Sequence, residues 1–284
     1  MRHCTRTDVK RLGATLVVLV LLGAAATIGW QHLHAKVRTL LPDECVAKVG
    51  DLRADLDVEQ AQNAGLITAI AVRRGLPPRA ATIALATAFQ ESKLYNLDYG
   101  DRDSVGLFQQ RPSQGWGTRK QLRDPVYATG RFYDALVQVD GFETMRITEA
   151  AQRVQRSGFP EAYAAHEPAA RALASSLTGR SPHAFTCRIG STEPGRSAVV
   201  SSEVTGVFGA LVSTPVANGR TVTVGVPDRT TGWALAHYVV AQAGRLGIRR
   251  VSYAGRAWAL DETWKQEDGR AAGRVRIDLA GPKD

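Results

Sequence analysis

The sequence has few of the side chains that build metal sites. It contains three cysteines and six histidines in 284 residues, and no cysteines stand at a spacing typical of zinc. His237 has no cysteine, aspartate or second histidine at ligand spacing, and a packed or surface histidine is the simpler interpretation of both His237 and His166. The sequence therefore predicts no metal site and no cofactor.

Several other signatures are also missing. No serine lies in a nucleophile-elbow pattern, no glycine-rich run matches a phosphate loop, and no nucleic-acid-binding motif is present. The 36 Lys and Arg residues outnumber the 27 Asp and Glu residues, but they are spread along the chain. This pattern favours attraction to an anionic surface, such as an envelope rich in phosphate and carboxylate polymers, and no nucleic-acid partner. An ordinary soluble surface explains the charge equally well.

Charged residues are absent from Leu12 through Trp30. As a helix, this segment would reach roughly 28 Å, close to the hydrocarbon thickness of a bilayer. Four basic side chains precede it. The pattern predicts a cytoplasmic N-terminus over 1–11, a single transmembrane helix over 12–30, and later residues outside the cytoplasm at the cell membrane. A signal peptide cleaved near Ala24-Ala25-Ala26 is the alternative.

The cysteines agree with that topology. Cys4 precedes the apolar segment, whereas Cys45 and Cys187 follow it and would lie where disulfides persist. We expect a bridge between Cys45 and Cys187, which would close the whole region between them. Two free thiols are the alternative.

Apolar spacing divides the rest of the chain into a helical part, a linker and a mixed part. The predicted fold class is an α-helical domain over 45–187 after the transmembrane helix, a linker over 188–220, and a small α+β domain over 221–284. The predicted helices are 58–74, 77–91, 129–139, 148–156, 161–177 and 231–247, and the predicted strands are 221–226, 251–260 and 274–279.

One acidic side chain ends an apolar helical segment in Phe89-Gln90-Glu91-Ser92. Glu91 follows Ala84, Thr87 and Ala88 at helical spacing, so it shares their face. A carboxyl there is partly removed from water, which raises its pKa towards a value useful for a general acid. A dozen residues later, Ser104 to Gln110 place a glycine turn with amides opposite it.

Five residues are candidates for substrate binding. Ser92 adjoins the acid, and the Gln109 amide can both donate and accept at a sugar edge, with Gln110 beside it. Trp116 stands between two glycines, where its indole could stack on a sugar ring or pack in the core. Tyr163 is a weaker candidate for the same groove.

These motifs resemble the lysozyme-like fold of soluble lytic transglycosylases and goose-type lysozymes. The resemblance rests on Glu91-Ser92 and Gly106-Leu107-Phe108-Gln109 and covers roughly residues 55–180. With Gln110-Arg111-Pro112 and Gly115-Trp116-Gly117, it extends to actinobacterial membrane-anchored members. Of the family's Ala-Tyr-Asn-Ala-Gly stretch, Glu161-Ala162-Tyr163-Ala164-Ala165 keeps the tyrosine and loses the Asn and Gly, which makes recognition of the acetamido group less secure than the acid itself.

The resemblance implies a membrane-anchored enzyme that cleaves peptidoglycan strands. Glu91 would protonate the glycosidic oxygen between muramic acid and glucosamine, and then accept the proton of the muramoyl C6 hydroxyl to give a 1,6-anhydro product. A hydrolytic muramidase would need a second carboxylate. Asp98, Asp101 and Asp103 are placed for that role, although they are more simply polar loop residues. The rival function is a non-catalytic wall-binding or scaffold protein with partners in the envelope.

Overall fold

The computed structural model describes residues 42–157, 159, 161–260, 263–267 and 273–282. The helices of these residues are α1 (Val58–Arg73), α2 (Pro78–Ser92), α3 (Arg119–Leu122), α4 (Pro125–Leu136), α5 (Ile147–Gln155), α6 (Glu167–Leu177), α7 (Ser197–Phe208), α8 (Arg229–Ala241) and α9 (Ala243–Leu246). The strands are β1 (Glu44–Val49), β2 (Leu52–Leu56), β3 (Phe185–Arg188), β4 (Val216–Asn218), β5 (Thr221–Gly225), β6 (Ile248–Tyr253), β7 (Arg256–Ala259), β8 (Lys265–Gln266) and β9 (Arg274–Leu279).

The predicted fold class is wrong, because the described residues form a mixed α/β structure with two antiparallel sheets. The first sheet has the order β2-β1-β3, and the second has the order β4-β5-β9-β6-β7-β8. The strands β1 and β2 lie inside the stretch expected to be helical, and they form a tight hairpin in which Gly50 adopts a φ of 57°. The strand β3 then returns from the end of α6 to pair with β1.

The transmembrane helix predicted over 12–30 lies outside the described residues, and nothing in the structure supports it. Of the helices that the structure does describe, none has both the length and the apolar composition needed to cross a bilayer.

The disulfide between Cys45 and Cys187 is confirmed. The two cysteines stand directly opposite each other in the pairing of β1 with β3, and their sulfurs are bonded. Both are buried, in a core that the first sheet shares with α6. The bridge therefore joins β1, which precedes the helices α1 to α6, to β3, which follows them.

The described residues from Asp43 onward form one compact unit. The helix α1 packs against α8, so the parts expected as separate domains, 45–187 and 221–284, share a core. Two buried tryptophans cross the same boundary: the indole of Trp258 donates to the carbonyl of Cys187, and that of Trp264 donates to the carbonyl of Phe185. The stretch expected as a linker, 188–220, holds α7, whose apolar face packs on α1.

Local signals explain the helix that carries Glu91. Pro78 occupies the first turn of this helix, where the missing N–H costs nothing, and seven of the ten residues that follow it are Ala, Ile or Leu. It ends at Lys93, which adopts a φ of 55°, and the following Leu94 bonds back to the carbonyl of Ala88. The buried face of this helix packs mainly against α6.

Candidate active site

Glu91 lies in the last turn of α2, on the face that carries the buried Ala84, Thr87 and Ala88, as the helical spacing predicts. Its side chain is partly buried. Carboxylates lose hydration when they are buried, so burial favours the protonated form. Burial accordingly raises the pKa of Glu91 above its ordinary value.

Two neutral side chains hydrogen-bond to this carboxyl. The hydroxyl of Tyr163 donates to Oε1 of Glu91 at 2.7 Å, and the side chain of Gln155 is a second partner. Both bonds lower the pKa of Glu91 and so oppose the effect of burial, which is the larger of the two. The carboxyl is thus held in one place by neutral groups, and no cation of the described residues is among the causes of its pKa shift.

Tyr163 is fully buried, in the short 3₁₀ helix Ala162–His166. Its own pKa is raised, first by burial and then by the negative charge of Glu91. The phenol therefore keeps its proton and acts as a donor, not as an acid. Its role is to position the Glu91 carboxyl.

Gln155, the last residue of α5, was missed by sequence reasoning. Besides Glu91, it contacts the facing stretch, because its Nε2 donates to the carbonyl of Phe108 at 2.7 Å. One amide therefore spans the gap between the acid and the Gly106–Gln109 turn. No local signal distinguishes this glutamine from the other glutamines of the chain, so only the packing of α5 on α2 reveals it.

Ser92 ties the same two segments together. Its hydroxyl lies 2.8 Å from the carbonyl oxygen of Leu107 and 3.0 Å from that of Ala88, and the side chain is buried. Ser92 therefore makes its hydrogen bonds inside the protein. Although it follows Glu91 in sequence, its hydroxyl faces the loop that carries Leu107.

We expect Ser92→Ala to destabilise the protein by about 1–3 kcal/mol, because the buried Leu107 carbonyl would lose its donor. Urea unfolding of the purified variant measures this change. Ser201→Ala, which alters a partly buried serine on α7, is the control and should change the free energy of unfolding by less than about 0.5 kcal/mol. Equal stability of Ser92→Ala and the parent would contradict the assigned role.

The amide of Gln109 also serves the loop. Its Oε1 accepts from Ser104 at 2.9 Å, and its Nε2 donates to the carbonyl of Tyr99 at 3.1 Å. The backbone of Gln109 has a φ of 46°, in the left-handed region, and Gly106 before it has a φ of 80°. A Cβ at Gly106 would lie 2.3 Å from the carbonyl oxygen of Leu122, so this turn requires glycine.

Gln110 is buried and points to the core. Its Nε2 donates to the carbonyl of Ala128 at 3.3 Å, whereas its Oε1 has no hydrogen-bond partner in the described part of the chain. The backbones of Val105 and Gln110 pair as an isolated bridge that closes the turn. The structure therefore places Gln109 and Gln110 on different sides of the turn, with Gln110 away from solvent.

Trp116 lines a cavity of about 650 Å³ that also includes Gln155, Arg153 and Arg156. Trp116 is partly buried, and its backbone carbonyl accepts a hydrogen bond from Nε of Arg131 at 3.2 Å. Gln155 is the residue that links this cavity to the acid, because it lines the cavity and also bonds to the Glu91 carboxyl, which is not itself in the lining. Of the five candidates for substrate binding, Tyr163 is the one in direct contact with Glu91, and Trp116 is the one beside an open cavity.

The three loop aspartates have other surroundings. Asp103 accepts from Arg111 at 2.9 Å and from the backbone N–H of Ser113 at 2.7 Å, and these bonds lower its pKa to about 2. Asp98 and Asp101 are exposed. The hydrogen-bond partners of Glu91 in the described part of the chain, Tyr163 and Gln155, include no acid.

His237 and His166 both make packing or hydrogen-bond contacts within the protein. His237 is fully buried, its Nδ1 lies 2.7 Å from the carbonyl of Ser176, and burial lowers its pKa to about 4. His166 stacks on Phe89, with 5.6 Å between ring centroids. Over the described ranges, no group of three His, Cys, Asp or Glu side chains is arranged to hold a metal ion.

No protein-family model matches the chain, and no curated protein matches it at a significant level of sequence similarity. The site must therefore be interpreted from its own geometry.

Proposed function

We propose that this chain is a peptidoglycan-cleaving enzyme of the lytic transglycosylase type, with Glu91 as its acid and base. The observation that carries the proposal is the Glu91 carboxyl itself: partly buried, raised in pKa, and hydrogen-bonded by Tyr163 and Gln155. A carboxyl with a raised pKa keeps its proton to higher pH than an ordinary glutamate does, and it can donate that proton to a glycosidic oxygen. Neither partner supplies the second carboxylate that hydrolysis by inversion or by a covalent intermediate requires.

The reaction would use Glu91 twice. Its proton passes to the glycosidic oxygen as the bond from that oxygen to the anomeric carbon breaks. The C6 hydroxyl oxygen of the muramoyl unit then bonds to the anomeric carbon, and its proton returns to the Glu91 carboxylate. Tyr163 and Gln155 hold the carboxyl in place throughout, since each bonds to it as a neutral donor. The acid is regenerated, and no water enters the product.

The disulfide supports a position for this domain outside the cytoplasm, because such bridges persist in oxidising compartments. The glycan strands of a cell wall would be accessible there. The predicted partner is accordingly the peptidoglycan strand.

Incubating the purified protein with peptidoglycan and weighing the released fragments tests the proposal. We expect fragments that end in 1,6-anhydromuramic acid. Fragments with reducing ends would instead support a hydrolytic muramidase. Absence of fragments, with the protein still bound to the sacculus, would favour the wall-binding or scaffold function and would contradict the enzyme.

Tyr163→Phe should shift the pH dependence of cleavage. The Tyr163 hydrogen bond lowers the pKa of Glu91, so its removal raises that pKa further. A general acid works only below its pKa, and the alkaline limb of the activity profile should therefore move to higher pH. Rates measured across the pH range for both proteins check this. An alkaline limb that moves to lower pH, or does not move, would contradict the role of Tyr163.

A further inference from the structure

A second cleft lies over the outer face of the first sheet. It has a volume of about 1000 Å³ and is lined on its floor by Val46 and Lys48 of β1, Arg53 of β2 and Arg188 of β3. Residues of a strand alternate between faces, and the intervening Cys45, Ala47 and Cys187 turn to the core. The walls come from the 180–183 turn after α6, from the start of α8 and from Trp264. Its lining does not include Glu91 or its partners.

Positive charge dominates this cleft. The cations among its described lining residues are Lys48, Arg53, Arg180, Arg188 and Arg229, against one acid, Glu44. Arg188 pairs with Glu44 at 2.9 Å, and Arg53 bonds to Asp55 at 2.9 Å. The side chains of Lys48, Arg180 and Arg229 form no ion pair with any residue that the structure describes.

Two features of the floor are unfavourable in an empty cleft. Lys48 and Arg53 stand directly opposite each other in the pairing of β1 with β2, and like charges in that arrangement repel, although Asp55 offsets part of the Arg53 charge. The Nη1 of Arg188 is buried and has no hydrogen-bond partner in the described part of the molecule. A buried guanidinium N–H without an acceptor is costly. A bound anion would offset the repulsion and could supply the acceptor.

His183, in the wall of the cleft, also lies close to positive charges. Burial lowers its pKa, and the nearby charges of Arg256 and Arg229 lower it further. The cleft is thus cationic at the wall as well as on the floor.

The lining also indicates the chemistry of the ligand. Four of the five cations are arginines, whose planar guanidinium group matches phosphate oxygens in a two-pronged geometry. The volume is at the upper end of the range for whole small-molecule ligands, so it exceeds the needs of one phosphate. Nucleic-acid strands usually also need open aromatic rings for stacking. Trp264 is the one Phe, Tyr or Trp residue among the described lining residues; it is buried and its indole donates to Phe185, so the cleft presents no open ring of these three types.

We propose that this cleft binds an anionic polymer of polyols linked by phosphodiesters. The repeated phosphates contact the arginines and Lys48, and the short polyol links pass over Val46 and Pro182. The site is independent of the proposed cleavage reaction, because it shares no residue with the Glu91 site.

Calorimetric titration of the full chain with a poly(glycerol phosphate) oligomer tests this assignment. The double variant Arg180→Gln/Arg229→Gln removes two cations of the cleft that form no ion pair with a described residue, and its Kd should rise about tenfold or more. The matched control is Lys120→Gln/Arg123→Gln, which removes two exposed cations of α3 and its C-terminal end and should change the Kd by less than about twofold. Inorganic phosphate should compete with the oligomer, and Glu91→Gln should bind it as the parent does.

Four results would overturn the proposal: no binding by the parent, an equal loss of affinity in the control, equally tight binding of poly-L-glutamate or a single-stranded oligonucleotide, or failure of phosphate to compete. Inorganic phosphate bound as tightly as the oligomer would overturn the polymer as the ligand. Thermal unfolding of each variant, expected within a few degrees of the parent because these side chains are exposed, separates lost binding from lost folding.

Discussion

Glu91→Gln should lower the rate of peptidoglycan cleavage by about a hundredfold to ten-thousandfold, the usual contribution of a positioned general acid. The amide has the shape of the carboxyl and can still accept from Tyr163, but it has no proton that it can donate at neutral pH. Release of fragments from a purified sacculus, followed by mass spectrometry at equal protein concentrations, measures the change.

The same variant should fold normally, which separates lost chemistry from lost structure. Since burial raises the pKa of Glu91 in the folded protein above its ordinary value of 4.5, the folded state binds that proton more tightly than the unfolded state does. Stability then falls as the pH rises from the unfolded pKa through the folded pKa, and the penalty is complete above both. Glutamine carries no such penalty. We therefore expect Glu91→Gln to be at least as stable as the parent at pH 8, with its advantage shrinking as the pH falls through the folded pKa and lost below the unfolded pKa of 4.5.

Glu161→Gln is the matched control for the rate. Glu161 lies next to the 3₁₀ helix that carries Tyr163, but its carboxylate is exposed and pairs with Arg146 at 3.1 Å. Because this residue does not contact Glu91, its loss should change the rate by less than about twofold. Equal losses in Glu91→Gln and Glu161→Gln, or a fully active Glu91→Gln, would contradict the assignment of the acid.

The second large effect concerns stability. The Cys45–Cys187 bridge closes a loop whose ends are 142 residues apart in sequence. By the chain-entropy estimate, a loop of this size is worth about 4–5 kcal/mol. We expect Cys45→Ala/Cys187→Ala to lose a large part of that free energy of unfolding, because the reduced chain gains freedom that the bridged chain lacks.

Urea unfolding of the double variant and of the parent, with and without reductant, measures this contribution. Reductant should destabilise the parent nearly as much as the substitutions do, and it should leave the double variant unchanged. Because the bridge joins β1 to β3, the strands before and after the helices α1 to α6, its loss should also loosen the pairing of these two strands. A difference of less than about 1 kcal/mol between the double variant and the parent would show that β1–β3 pairing and the shared core hold these strands without the bridge.

The helices were the most predictable part of the fold. The segments 58–74 and 77–91 carry their own signals: Asp57 caps α1 with Gln60, and Pro78 starts α2. Such signals act within a few residues, so they can be read locally. The boundaries of α4 differ from the prediction because Asp124 and Pro125 start that helix before its apolar stripe begins.

The sheets and the shared core could not be predicted from such local signals. The strand β1 is six residues long, and its pairing partner β3 lies beyond all the intervening helices. The contact of α1 with α8 likewise joins distant parts of the chain. Periodicity within a segment describes one face of that segment and does not identify what covers it.

In the candidate site, too, local features could be predicted from the sequence, whereas contacts between distant segments could not. The raised pKa of Glu91 followed from its place on a helix face, whereas the partners that hold it, Tyr163 and Gln155, come from two later elements. Ser92, Gln109 and Gln110 have side chains suited to bind sugars, yet their hydrogen bonds go to backbone and side-chain groups of the protein itself. Side-chain chemistry suggested their importance, and packing decided how each is used.

The proposed function requires Glu91 to keep its proton above the pH at which an ordinary glutamate loses it. Carbon-13 NMR of the glutamate carboxyl groups, with the Glu91 signal assigned by its absence in Glu91→Gln, measures that midpoint directly. We predict a midpoint clearly above 4.5 in the parent and a still higher one in Tyr163→Phe. A Glu91 midpoint at or below 4.5 would contradict the general-acid assignment on which the proposed function rests.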